Sequence, residues 1–277
     1  MGVTRTAVGS TTLTGITATL DSGTAARPGV TAANNGATIT LTGVGLTIND
    51  NVVFKAVDYY YNSYYDYTVS AKSVAADGKS LTVVVPDAAV TGTVRLYREQ
   101  SGLLLQVVPI VTEVTASSGF RNGVVTVTGK GLAGFTNGGS VVNFGGTTGA
   151  NNNSNYYYYS NNTYLYAGVA SSAPTGPLTV TTAGGTSVAF DRTFTGLSTT
   201  TATANQVITV TGTNLSASTS IVFRARDSYA EYLVVVGPNS VATDKKSMQV
   251  TVPYYAVTGL VEVVGDRLSR TELLTIT

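Results

Sequence analysis

Apolar and polar residues alternate with a period of two along much of this chain. The clearest stretches are Ile39-Thr40-Leu41-Thr42-Gly43, Val125-Thr126-Val127-Thr128-Gly129 and Ile208-Thr209-Val210-Thr211-Gly212. Each is followed by a leucine, at Leu46, Leu132 and Leu215. Such alternation predicts strands with one buried face and one wet face. The closing glycine suits a backbone position with no room for a side chain, such as a turn or a bulge. The phrase recurs at near-equal intervals, which marks the chain as an internal repeat.

Other echoes follow in a fixed order. A short apolar strand is predicted at Val52-Val53-Phe54, Val142-Asn143-Phe144 and Ile221-Val222-Phe223. Next comes Leu81 to Pro86, matched by Met248 to Pro253 and more weakly by Leu165 to Val169. Proline ends two of these strands because it cannot donate to the ladder. Turns at Ala89-Val90-Thr91-Gly92, Ala173-Pro174-Thr175-Gly176 and Ala256-Val257-Thr258-Gly259 lead into a further strand. Asn35-Gly36 and Asn122-Gly123 are tight-turn signals ahead of the shared strand. Repeats one and three are the closer pair.

This order of motifs resembles the IPT/TIG family of immunoglobulin-like domains. Repeat two carries the best single match, in Gly139 to Gly146 and Thr175 to Ser187. The resemblance implies an all-β chain of three tandem immunoglobulin-like β-sandwich domains, as used in bacterial surface proteins. The boundaries that follow are an N-terminal extended segment at 1–18 and repeats at 19–108, 109–193 and 194–277. Linkers near Val108-Pro109-Ile110 and Arg192-Thr193-Phe194 are short and partly apolar. They predict a fairly stiff rod with small interdomain contacts. The residues ahead of repeat one are expected to extend a sheet or to pair with a neighbouring subunit's edge.

Composition narrows the function. The chain has 277 residues, 43% hydrophobic and only 11% charged, with a net charge of +1. No basic stripe points to nucleic acid, and no apolar run approaches the roughly 18 residues of a membrane helix. Met1 to Ser10 has no apolar signal-peptide core, so an exported chain would have lost its leader or would begin inside a longer protein. Cysteine, histidine and tryptophan are all absent. That excludes the usual zinc sites and histidine-based nucleophilic catalysis. Gly129-Lys130-Gly131-Leu132-Ala133-Gly134 satisfies the dinucleotide fingerprint literally. The context is wrong, because turn residues follow where a helix is needed. No cofactor and no enzyme activity is expected. Asp58 and Asp227 occupy equivalent positions and read as solvated strand ends.

Tyrosine is the anomaly. Most of the 17 fall in two clusters. Tyr59, Tyr60, Tyr61, Tyr64, Tyr65 and Tyr67 form the first, and Tyr156, Tyr157, Tyr158, Tyr159, Tyr164 and Tyr166 the second. Both lie between the Val-x-Phe strand and the next, in a hairpin or edge region. Tyr229 and Tyr232 hold that place in repeat three. Two readings stand: a contact surface that exploits large amphipathic rings, or an ordinary strand with alternate rings packed inward. The expected function is a structural or adhesive segment of an extracellular surface protein, with a filament subunit as one form of it. The alternative is a carbohydrate-binding module or an accessory domain of a larger secreted enzyme. Expected partners are neighbouring copies or repeats of the same protein, and glycans, with no nucleic acid and no membrane insertion.

Overall fold

The computed structural model describes residues 12–58, 63–116, 124–133, 140–144, 162–168, 177–266 and 271–277. Its regular structure is all-β, in a series of sandwiches. No helix among the described residues is long and apolar enough to cross a membrane.

Repeats one and three have the same topology. In repeat one, Thr12–Thr17, Thr38–Val44, Ser80–Val84 and Ser73–Val74 form one sheet in that order. The facing sheet runs Ala32–Ala33, Leu103–Val107, Gly92–Leu96, Asn51–Asp58, Ser63–Ser70. Repeat three copies this with Thr193–Leu197, Val207–Thr213, Ser247–Thr251 and Ser240–Val241 against Thr201–Ala202, Thr271–Ile276, Gly259–Val263, Ile221–Arg226 and Glu231–Val236. In repeat two the described strands are Ile110–Ala116, Val124–Lys130 and Tyr164–Gly168 on one side. Val141–Phe144, Leu178–Thr182 and Gly185–Thr186 lie on the other.

The alternating phrase does what its pattern predicts. Ile39 and Leu41, Val125 and Val127, and Ile208 and Val210 are buried in the cores, while the intervening threonines stay at the outer face. Phe54 and Phe223 fill equivalent places in the first and third cores.

The phrase glycine has a specific cause. In each repeat the opening strand carries a bulge beside it, between Leu13 and Gly15, Val111 and Glu113, and Phe194 and Gly196. The residue just before the bulge pairs with Gly43, Gly129 or Gly212. A β-carbon on Gly129 would lie 1.9 Å from the Ile110 carbonyl oxygen, and one on Gly212 would lie 2.0 Å from that of Thr193. Two residues on, Gly45, Gly131 and Asn214 all take a left-handed backbone, at φ of 67°, 67° and 52°. That turn points Leu46, Leu132 and Leu215 back into the cores. The Gly-rich fingerprint lookalike is therefore a turn in a strand-to-strand connection.

Residues 1–18, read as an extension, include the Thr12–Thr17 strand, which pairs antiparallel with Thr38–Val44 of the same chain. The contacts between repeats are also more extensive than short linkers suggest. Thr24–Ala25, from repeat one, adds to the sheet of repeat two by pairing with Gly185–Thr186. Two buried amides hold the segment that carries it. Asn34 Nδ2 donates to the carbonyls of Ser22 (3.0 Å) and Val108 (2.9 Å). Gln106 Nε2 donates to those of Arg27 and Val30, each at 3.0 Å. Gln106 is 1% exposed, so the polar break in the Leu103 to Val108 run is a structural tie.

Repeats one and three each have an upper end, at the turn after the phrase glycine, and a lower end, at the turn after the proline-ending strand; the upper end of repeat two is likewise the turn after Gly129. The lower end of repeat one, Pro86 to Ala89, meets the upper end of repeat two. Asn162 Nδ2 donates to the Ala89 carbonyl (2.8 Å), and Lys130 Nζ pairs with Asp87 Oδ1 (2.9 Å). At the second junction Arg192 is fully buried. Its Nη1 donates to the carbonyls of Val114 (3.0 Å) and Val264 (2.7 Å), and its Nη2 pairs with Glu113. Burial lowers the Arg192 pKa, and the Glu113 carboxylate works against that shift. Ser216 Oγ of repeat three donates to the other Glu113 oxygen at 2.5 Å. Val222 and Val264 of repeat three sit in the core cluster of repeat two, and the Phe190 ring packs 4.8 Å from the Arg192 guanidinium. One shared core and one buried ion pair thus join the last two repeats.

Candidate functional site

The tyrosine region of repeat one is a hairpin. Asn51–Asp58 pairs with Ser63–Ser70, which is the outer edge of its sheet. The register sorts its residues by face. Tyr65 lies opposite Ala56, and Tyr67 opposite Phe54, so both share the side of the buried pair. Yet Tyr65 is 40% and Tyr67 39% exposed. Their ring centroids are 6.4 Å apart in an edge-to-face arrangement. This face of the edge strand is therefore only part covered. Tyr64, opposite Val57, faces outward and is 45% exposed.

Charges brace the outer face. Asp66 Oδ1 pairs with Lys55 Nζ at 2.7 Å, and its Oδ2 with Arg95 Nη2 at 2.6 Å. The Lys55 hydrogen bond leads in holding the Asp66 carboxyl below its ordinary value, with partial burial opposing and Arg95 assisting. Arg95 Nη1 also donates to the Glu99 carbonyl at 2.7 Å, which ties the edge hairpin to the next turn.

Repeat three repeats the plan with fewer tyrosines. Tyr232 lies opposite Ala225, as Tyr65 lies opposite Ala56, and is 38% exposed. Glu231 pairs with Arg224 (3.5 Å) and with Arg226 on the outer face. Tyr229, in the hairpin turn, is 95% exposed. The Asp227 carboxylate accepts the Ala230 and Tyr229 amides (2.9 and 2.8 Å), and those bonds hold its pKa low. A carboxylate spent on closing a turn is a structural element. Tyr59, Tyr60 and Tyr61, and Tyr156, Tyr157, Tyr158 and Tyr159, lie outside the described residues. Tyr164 and Tyr166 of repeat two stack edge-to-face at 5.7 Å on a described strand.

One pair escaped the sequence reading. Tyr254 and Tyr255 follow Pro253 at the lower end of repeat three and are 67% and 56% exposed. Their rings meet edge-to-face at 4.8 Å. The signal was present in the alignment of repeats, where Asp87-Ala88 stands at the same place. Arg226 N donates to the Tyr255 carbonyl at 2.9 Å, which puts this pair beside the hairpin that carries Tyr229.

Among the described residues no three His, Cys, Asp or Glu side chains group as a metal site would require. A cavity of about 360 Å³ lies at the second junction, lined by Ile110, Glu113, Phe190, Asp191, Asn214 and Lys245 among others. Glu113 there is engaged by Arg192 and Ser216, and Asn214 by the Asp191 carbonyl (2.6 Å). What the described surface offers is aromatic contact area on exposed edges.

No family model matches the sequence, and no curated protein matches it. Three of the solved structures that resemble this chain are as follows. One is described as a crystal structure with a xylogluco-oligosaccharide, at 17% identity and a TM-score of 0.28, covering 88% of this chain and 58% of that one. A second is SGBP-B from a complex xyloglucan utilization locus in Bacteroides uniformis, at 15% identity and 0.24, covering 95% of this chain and 93% of that one. A third is Salmonella alpha-2-macroglobulin reacted with methylamine, at 12% identity and 0.20, covering 96% of this chain and 19% of that one. The chain therefore spans little more than half the length of the first. Likeness at this level assigns neither ligand nor activity.

Proposed function

We propose that this chain is a non-enzymatic structural or adhesive segment of an extracellular surface protein, a stiff array of IPT/TIG-like sandwiches that displays tyrosine-bearing edge hairpins. The observation that carries the reading is the construction of the junctions. Independent domains on a flexible string leave their linkers solvated. Here the linker residue Arg192 is fully buried between repeats, and a strand of repeat one completes a sheet of repeat two. Such junctions fix orientation, which is what a spacer must do. Small-angle scattering of the full chain checks the reading. The account expects an elongated particle about one sandwich wide, and a globular particle with three repeats collapsed together would oppose it.

A second reading concerns what the hairpins touch. Tyr64, Tyr65 and Tyr232 are half-exposed rings on rigid strands, arranged over a surface rather than in a deep cleft. Fixed aromatic faces of that kind suit carbohydrate, whose ring C–H groups stack on them. A glycan array should therefore show binding, and the Tyr65→Ala variant should weaken it about tenfold. Xyloglucan oligosaccharides belong among the probes. Binding that is indifferent to Tyr65 would remove this reading and leave the spacer untouched.

A further inference from the structure

The first junction shows how one end of a sandwich receives the next. At that junction the lower end of repeat one receives the upper end of repeat two. Lys130, directly after the phrase glycine, pairs with Asp87, directly after the strand-ending proline. Gly131 and Ala133, at the upper end of repeat two, are both buried. A β-carbon on Gly131 would come within 2.8 Å of Asn35 Oδ1 of repeat one.

The two outermost ends of the chain carry the same features without a partner in the described structure. The upper end of repeat one has Gly45, equivalent to Gly131, with the same left-handed backbone. Gly45 and Thr47, equivalent to the buried Gly131 and Ala133, are exposed. The place of Lys130 is taken by Val44, which is 62% exposed, with Ile48 beside it at 55%. At the lower end of repeat three, the place of Asp87 is taken by Tyr254, with Tyr255 next to it. Both halves of the charged pair are thus replaced together, one by an aliphatic side chain and the other by an uncharged aromatic ring. An exposed valine and isoleucine at one end, and a tyrosine pair at the other, are costly to leave in water and are complementary in kind.

We infer that a second copy of this chain docks head to tail, with Tyr254 and Tyr255 of one molecule packing on Val44 and Ile48 of the next in the manner of the first internal junction. Such a contact joins two different surfaces and does not close by itself, so repetition builds an open linear assembly. The inference extends the spacer reading from one molecule to many. The two fail separately, because a chain that stays monomeric in solution still has its internal junctions and its elongated scattering profile.

The test is sedimentation velocity of the full chain across a range of concentrations. The wild type should show mass rising with concentration. V44D and Y254K should each weaken that association about tenfold or more, since each sets a lone charge in an apolar contact. Both positions are exposed, and an unchanged far-ultraviolet spectrum confirms the fold. Mixing V44D with Y254K is the decisive arm. In alternation, the acid of one variant meets the amine of the other, and the unaltered Val44 and Tyr254 surfaces meet at the next contact. Mass should therefore recover in the mixture beyond either variant alone. A wild type that remains monomeric at high concentration, association unaffected by both variants, or a mixture no heavier than its components would each overturn the inference.

Discussion

Replacing Glu113 by alanine should destabilise repeats two and three together by about 3 kcal/mol or more, the usual cost of leaving one member of a buried ion pair without its partner. The geometry explains the size. Arg192 has no exposed surface, and its Nε has no hydrogen-bond partner. Its charge is offset by Glu113 and by two carbonyls, those of Val114 and Val264. Without the carboxylate, a cation remains in the shared core near Val222 and Phe190. The double variant E113A/R192M should be less destabilised than E113A, because it removes the charge as well as its partner. Scanning calorimetry of the full chain checks both. A Glu113→Ala transition within error of wild type would show that the junction does not hold the two repeats in one cooperative unit.

The second large effect concerns the phrase glycines. Gly129→Ala and Gly212→Ala should each cost about 3 kcal/mol, at the upper end of ordinary overpacking, because the neighbour is backbone and cannot rotate away. The added carbon would stand 1.9 or 2.0 Å from a carbonyl oxygen of the opening strand. To relieve the clash, the bulge that begins each sandwich would have to move, with its pairing to the whole phrase strand. Gly237 is the control, since nothing lies within 4 Å of its missing β-carbon. Gly237→Ala should change stability by no more than about 0.5 kcal/mol. Chemical denaturation of the three variants measures the contrast directly.

These glycines show how far a sequence of this kind can be read. Repetition of Thr-Gly in three copies marks the position as constrained, and the alternating pattern places the strand and its buried face. The bulge itself is not legible, because it belongs to the opening strand, whose sequences Leu13 to Gly15, Val111 to Glu113 and Phe194 to Gly196 share no motif. The opening strand Ile110–Ala116 escaped notice for the same reason. The junctions were less legible still. Arg192 looks like an ordinary linker residue, since its partner Glu113 stands 79 positions earlier, in the opening strand of the preceding repeat. Gln106 looks like an interruption of an apolar run until Arg27 and Val30 are brought beside it.

The tyrosines divide along similar lines. Their position in an edge hairpin follows from the order of motifs, and Tyr64, Tyr65, Tyr229 and Tyr232 are found there. Their faces depend on register, which the run of tyrosines conceals because every position looks alike. Neither reading of the cluster alone describes what results. Tyr65 and Tyr67 face inward by register yet remain partly exposed, while Tyr64 faces out. Tyr254 and Tyr255 were visible only as a difference between copies, at a turn whose significance depends on what sits against it in repeat one.

The central claim is that three sandwiches behave as one stiff body. Spin labels on exposed positions of repeats one and three, at Thr68 and Gln249 after substitution by cysteine, read this directly by electron–electron distance measurement. The account predicts a single narrow distance distribution, and a broadened one in the Glu113→Ala variant. A broad distribution in the wild-type background would contradict it, since that is the signature of repeats that pivot freely about Pro109 and Arg192.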